Sequence, residues 1–272
     1  MRSSIKSLLL VGAASCAFQL PCVNAYTDTS TGGAINVGRD NTFTILTSGD
    51  LNDTNNTMLG STSKVTGNIA IGGHGNFSMS NSSYVTGDIV MNQYGTFTMD
   101  STSRHIGKTY YNQDTNINNA LTDTQSLSDA AFAEAVTPAF AGLTNVNLSN
   151  GAHMSITGAA NQKVVLDLTD FSLSSGSWFT LKGTATTTFI INVTNTFSLT
   201  GASWISLSNV PPRNVLFNVV GTGSQVVMSG NSYMYGILLA KKRQVALTGS
   251  WIKGRLIAEQ LSLTNGGQVC SQ

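Results

Sequence analysis

Charge is scarce in this chain. Of its 272 residues only 10% are Asp, Glu, Lys or Arg, against roughly 25% in an average soluble domain. A net charge of +1 excludes a strong general attraction to nucleic acid. Proline is nearly absent, with four residues, so little of the chain is proline-rich linker. Cysteine is as rare, with three residues, two of them within the first 22 positions. That number cannot build the disulfide framework of a small secreted scaffold. The three histidines, His74, His105 and His153, show no metal-ligand spacing such as H-x₃-H, so no metal or other cofactor is expected. Long apolar runs are missing too, except at the start.

That first run reads as an export signal. Arg2 and Lys6 precede Leu8-Leu9-Leu10-Val11 and small residues up to Phe18, and Val23-Asn24-Ala25 is an A-x-A-type cleavage site. Residues 1–25 are therefore expected to be a signal peptide, with the mature chain beginning at Tyr26. The alternative is lipoprotein processing at Cys16, before which Ala13-Ala14-Ser15 lacks the usual larger aliphatic residue. The run is too short to span a bilayer as a mature helix. Cleavage at 25 takes Arg2 and Lys6 from the 14 basic residues, leaving 12 against 13 acidic ones. It also removes Cys16 and Cys22. Cys270 is then expected to have no partner within the chain, and fold stability is expected to come from packing alone.

What the chain has in plenty is Ser, Thr, Asn and Gly set among alternating apolar residues. Residues 61–80 (STSKVTGNIAIGGHGNFSMS) and 81–100 (NSSYVTGDIVMNQYGTFTMD) are two copies of one unit, identical at eight of twenty positions. A period this short, with alternation and no helical spacing, is one coil of a β-solenoid. The fold class expected is all-β, a right-handed parallel β-solenoid with one α-helix packed alongside, forming a single domain over residues 26–272. Regular alternation of large apolar residues argues against a disordered Ser/Thr-rich chain.

Residues 26–60 read as a first strand and cap, with Phe43–Leu46 a strand and Asp50 to Asn56 a polar loop. A third coil over 101–111 keeps Gly107 in register with Gly67 and Gly87. The rhythm breaks over 116–141, where Ile117, Ala120, Leu121, Leu127, Ala131 and Ala135 recur at spacings of three and four. This predicts a helix over roughly 126–136, N-capped by Ser128 and stopped by Pro138, its apolar stripe against one solenoid face.

After the helix a short signature returns: apolar, any residue, apolar, Ser/Thr, turn-former. It starts at Val146, Phe171, Phe197, Val226, Val245 and Leu261, and in the early coils at Phe77. Alternation puts the two apolar residues inward and the middle one outward. The starts are unevenly spaced, so excess residues must leave as loops such as 208–214. Roughly nine coils would make a rod of about 40 Å.

Aromatic residues fall at one repeat position. Trp178, Trp204 and Tyr233 follow the second apolar residue by five, as Tyr84 does in the early coil, and Trp251 follows it by four. Each is preceded by Ser and followed by an apolar residue, which places the ring outside. Such a column is either a ladder of stacked rings or a ligand-binding strip, and the two are compatible. Nearby lies a basic group, Lys241, Lys242, Arg243, Lys253 and Arg255, readable as a polyanion-binding patch or as a solvated turn. No catalytic set is present, so no enzymatic activity is expected. Asp167 and Asp170 form the nearest thing to an acid–base pair, and both suit strand-end turns. Thr184, Thr186, Thr187 and Thr188 are the candidates for a flat hydroxyl face.

From Val164 on, the stretches VVLDLTDFSL, GTATTTFIINVTNTFSLTG, NVLFNVVGTGSQVVMSGNSYMYGILLA and GRLIAEQLSLTNGGQV resemble exported bacterial β-solenoid adhesins of the choice-of-anchor A and PEP-CTERM-associated type. The early VTGNIAIGG and VTGDIV stretches do as well. More distantly the chain is similar to DUF3494 ice-binding proteins, which share a closing pair seen here as Gly236-Ile237-Leu238-Leu239-Ala240 and Gly254-Arg255-Leu256-Ile257-Ala258. The resemblance covers about 210 residues and implies a secreted, non-enzymatic surface or matrix protein. Its expected partners are surface glycans or other extracellular polymers, with self-association into fibres a further option. Ice binding is the alternative. The sorting tail of such adhesins is not seen before Gln272, so release or non-covalent association is expected.

Overall fold

The computed structural model describes residues 42–49 and 56–271. The expected signal segment and most of the polar loop 50–56 lie outside the described residues. Among those described, twenty-one strands form a single sheet in which all pairings are parallel. The sheet winds on itself as a parallel β-solenoid, because alternation leaves each coil one apolar side that only neighbouring coils can cover. Phe171, Phe197, Val245 and Leu261 all lie in the bore. Phe171 and Phe197 stack at 5.4 Å, and both meet Phe217 edge-on. The signatures pair in the register that alternation gives: Val146 with Phe171, Phe171 with Phe197, Val226 with Val245, Val245 with Leu261.

The coils do not stack in chain order. The strand Ile45–Thr47 lies between Leu256–Ala258 and Ile69–Ile71. Likewise Lys64–Thr66 pairs with Gln268–Cys270 on one side and Tyr84–Val85 on the other. The early coils therefore extend the rod beyond the last coil. The chain must then travel back along the whole rod before the second set can begin at Asn145–Leu148.

That return is the helix, Asp114–Ala133. It begins twelve residues before the predicted start, and Ser128 is not its N-cap but lies well inside it. Its twenty residues span about 30 Å, most of the distance across nine rungs. Ile117, Ala120 and Ala131 are buried against Leu46, Ala70, Val165, Ile190, Leu216, Ile237, Leu239 and Ile257. Polar bonds clip it down as well. The Ser128 hydroxyl donates to Asn218 Oδ1 (2.7 Å), Asn218 Nδ2 donates to Ser128 O, and Asn192 Nδ2 donates to Ala131 O. A 3₁₀ turn, Pro138–Phe140, follows and seats Phe140 and Leu143 on the core at one rod end. The opposite end leaves Met99, Ile106 and Tyr110 exposed.

Each serine that precedes a ring is buried, and so are Ser63 and Ser103 at the same repeat position before Lys64 and Arg104. Ser63, Ser83, Ser103, Ser177, Ser203, Ser232 and Ser250 line one corner of the solenoid. There they bond turn carbonyls and one another: Ser203 Oγ donates to Leu173 O (3.1 Å), and Ser83 Oγ to Ser103 Oγ (3.1 Å). Leu173 O also accepts from Thr200 N (2.9 Å), so removing the Ser203 hydroxyl loses one buried hydrogen bond without stranding its acceptor. Ser203→Ala should cost about 1 kcal/mol in urea unfolding, and Ser203→Val more, because its branches meet the next coil.

Cys270 is disulfide-bonded. This corrects the expectation that the last cysteine has no partner within the chain. The other two cysteines lie outside the described residues.

Candidate binding faces

The helix covers one of the solenoid's three faces, leaving two with candidate surfaces. On the first, nine strands stack in the order His153–Thr157, Trp178–Lys182, Trp204–Ser208, the start of Tyr233–Thr248, the start of Trp251–Thr264, Gln268–Cys270, Lys64–Thr66, Tyr84–Val85 and Arg104–His105. Their first residues form the column that the sequence predicts. His153 stacks on Trp178 at 4.8 Å, Trp178 on Trp204 at 5.1 Å and 3°, Trp204 on Tyr233 at 5.9 Å, and Tyr233 on Trp251 at 4.4 Å and 3°. Tyr84 is in the same register but stands apart, separated from Trp251 by Gln268 and Lys64. The Lys64 ammonium sits 5.7 Å from the Tyr84 ring centre, a cation–π contact.

Because the rings lie against one another, their faces are occupied and their edges point to water. Tyr235 closes over both Tyr233 and Trp251 edge-on. Burial raises the Tyr233 hydroxyl pKa, with the neighbouring Tyr235 adding to it, and burial raises that of Tyr235 also. His153, five residues after Leu148, pairs with Trp178 and extends the column by one ring.

The five basic residues read as one group do not form one surface. Arg243 is 1% exposed. Its five N–H groups each donate to a backbone carbonyl, those of Thr194, Asn195, Val220, Gly221 and Ser224, at 2.8–3.1 Å. It fastens consecutive corners of the rod, where the strand register slips between Ala240 and Gln244. Lys241 is half-buried and donates to Leu121 O of the helix (2.9 Å). Its pKa is lowered by burial first, then by Lys242. Arg255 lies beside Ile237 on the helix side. Lys242 is exposed at the corner, and only Lys253 faces outward on the aromatic face.

The second open face carries hydroxyls and amides. Its central outward column is Asn147, Ser172, Ser198, Val227, Ala246, Ser262, Met58, Ser78 and Thr98. The middle residue of each signature already marked it. Its strands hold no Lys or Arg. The threonines first considered for such a face are elsewhere: Thr184–Thr187 make a corner turn, with Thr187 buried and its hydroxyl donating to Ala159 O.

Asp167 and Asp170 are structural acceptors, from Asn192 Nδ2 (2.8 Å) and Asn195 Nδ2 (2.8 Å) respectively. Among the described residues no cluster of His, Cys, Asp and Glu is arranged to hold a metal. No helix among them is long and apolar enough to cross a membrane.

A family model described as "Putative Ice-binding-like adhesive domain" matches residues 23–270. No curated protein matches the chain. Among solved structures, an ice-binding protein from an Arctic yeast superposes with a TM-score of 0.57 at 17% identity, over 90% of this chain and 96% of its own. One from an Antarctic biological consortium gives 0.54 at 16%, over 91% and 96%. One from the Antarctic ascomycete Antarctomyces psychrotrophicus gives 0.51 at 17%, over 87% and 98%. At these identities the likeness is one of fold.

Proposed function

The chain belongs to the family of ice-binding-like adhesive domains, and from that premise we propose that it is a secreted, non-enzymatic adhesive protein that holds an extracellular polymer along its aromatic face. One observation carries this reading. A continuous column of rings, exposed at His153 and half-buried from Trp178 to Trp251, runs along an open face, whereas the same outward column on the neighbouring face is mostly small and polar. Rings concentrated at one surface are the usual mark of an interaction patch. A rigid rod suits the task, since coil spacing holds the contact points at fixed intervals along a linear ligand.

A second reading, ice binding, is favoured by the hydroxyl face, whose strands are free of basic side chains. The two readings separate in one experiment. Purified chain is tested for retention on surfaces coated with extracellular glycans, and in parallel for thermal hysteresis and inhibition of ice recrystallisation. Retention without an effect on ice is expected. An effect on ice with no retention on any polymer would replace the adhesive reading by the second.

A further inference from the structure

We propose that the polymer taken by the aromatic face is polyanionic, a polysaccharide bearing carboxylates or sulfates. This rests on the adhesive reading and narrows its ligand. A neutral sugar docks its C–H face on an open ring face, yet Trp178, Trp204 and Tyr233 each have a ring on either side. What they offer a ligand is edges, the positive part of the ring quadrupole.

The charged residues of this face have the same sign. Counting rungs from His153–Thr157, Lys182 is on the second, Lys253 on the fifth, Lys64 on the seventh and Arg104 on the ninth. With strands about 4.8 Å apart, the intervals are roughly 10–15 Å. Lys182, Lys253 and Arg104 are exposed, and the strands of this face contain no Asp or Glu. None of the four cations is paired with a carboxylate among the described residues. Between them Thr86, Thr180, Ser206 and Ser208 provide hydroxyls for sugar oxygens. Thr180 and Ser206 already bond each other across rungs at 2.8 Å. The hydroxyl face has the opposite character, with Asp170 on its strands and Asp100 at its corner, the latter held at about 2 chiefly by the Asn81 backbone N–H.

Cations this far apart are separated by between one and two Debye lengths at physiological salt. Each therefore acts almost alone, and one anionic sugar is held weakly. A chain of them gains through multivalency along the rod. The ligand is thus a polymer and not its monomer.

The test uses the whole chain on immobilised polygalacturonate and on dextran, at rising salt, with free galacturonate as competitor. Expected are retention on polygalacturonate that high salt abolishes, much weaker retention on dextran, and poor competition by the monomer. K182Q/K253Q/R104Q, three exposed changes, should weaken polygalacturonate binding by roughly tenfold or more with an unchanged melting curve. Adding K64Q should weaken it further. Equal, salt-insensitive retention on dextran, or full retention by the triple variant, overturns the anionic class while leaving an adhesive protein. No retention on either polymer overturns both.

Discussion

Arg243→Met is expected to destabilise the protein by about 3–5 kcal/mol, lowering the thermal midpoint by on the order of 10 °C. All five guanidinium donors are in use, and all five acceptors are backbone carbonyls of the corners at Thr194–Asn195 and Val220–Ser224. A methionine of similar length fills the space but leaves those carbonyls without donors in a water-poor corner. The unsatisfied groups, more than the lost charge, set the magnitude. Arg243→Lys should recover only part of the loss, because an ammonium has three donors and no planar fork. Thermal unfolding of the two variants beside the parent decides it. A methionine variant melting within a degree or two of the parent would mean that water serves these carbonyls as well as Arg243 does.

Gly254→Ala should be at least as damaging, costing about 3 kcal/mol or more. Gly254 has φ +153° and stacks directly on Gly236, φ +132°. A Cβ at Gly254 would overlap the backbone carbonyl of Gly236, which cannot swing aside as a side chain would. At Gly236 the added methyl would lie 3.0 Å from the Val215 carbonyl. Gly236→Ala should therefore be the milder of the two in urea unfolding, and the reverse order would show that the stacked corner is not what limits these positions. These two glycines open the closing pair on which the family resemblance was drawn, and close approach of successive coils is the physical reason for glycine at both.

Much of the fold is legible in the sequence because strand alternation and a repeated signature suffice to set register. The inward pair Phe197 and Leu199, the outward Ser198, and the vertical line through Trp178, Trp204, Tyr233 and Trp251 all follow from counting. Three things do not. The order of stacking depends on which coil meets which at Ile45 and Lys64, and apolar edges of such similar pattern do not identify their partner. The helix starts early because residues 114–125 carry Asn, Thr and Asp, whose helix propensity is poor. Burial of Ile117 and Ala120 on the solenoid offsets that. Arg243 reads as a surface charge, since nothing local in Lys241-Lys242-Arg243 tells that one of three cations turns inward toward carbonyls some 20 and 48 residues away. The candidate site was half visible for the same reason. Repetition gave the ring column, but the distribution of Lys64, Arg104, Lys182 and Lys253 on it emerges only once the two halves are joined.

The join has a bearing on biogenesis. A ribosome delivers residues 56–110 early, yet the neighbour that completes them, Trp251 to Cys270, is synthesised well over a hundred residues later. Until then Ile45–Thr47, Asn56–Leu59 and Lys64–Thr66 stand with one hydrogen-bonding edge empty, inviting foreign strands. Closure must wait for contacts spanning some 200 residues, such as Ile45 with Leu256, which makes folding slow by topology alone. Recombinant yield should accordingly track whatever shields that nascent edge, holdase chaperones or low temperature, more than it tracks the stability of the finished rod.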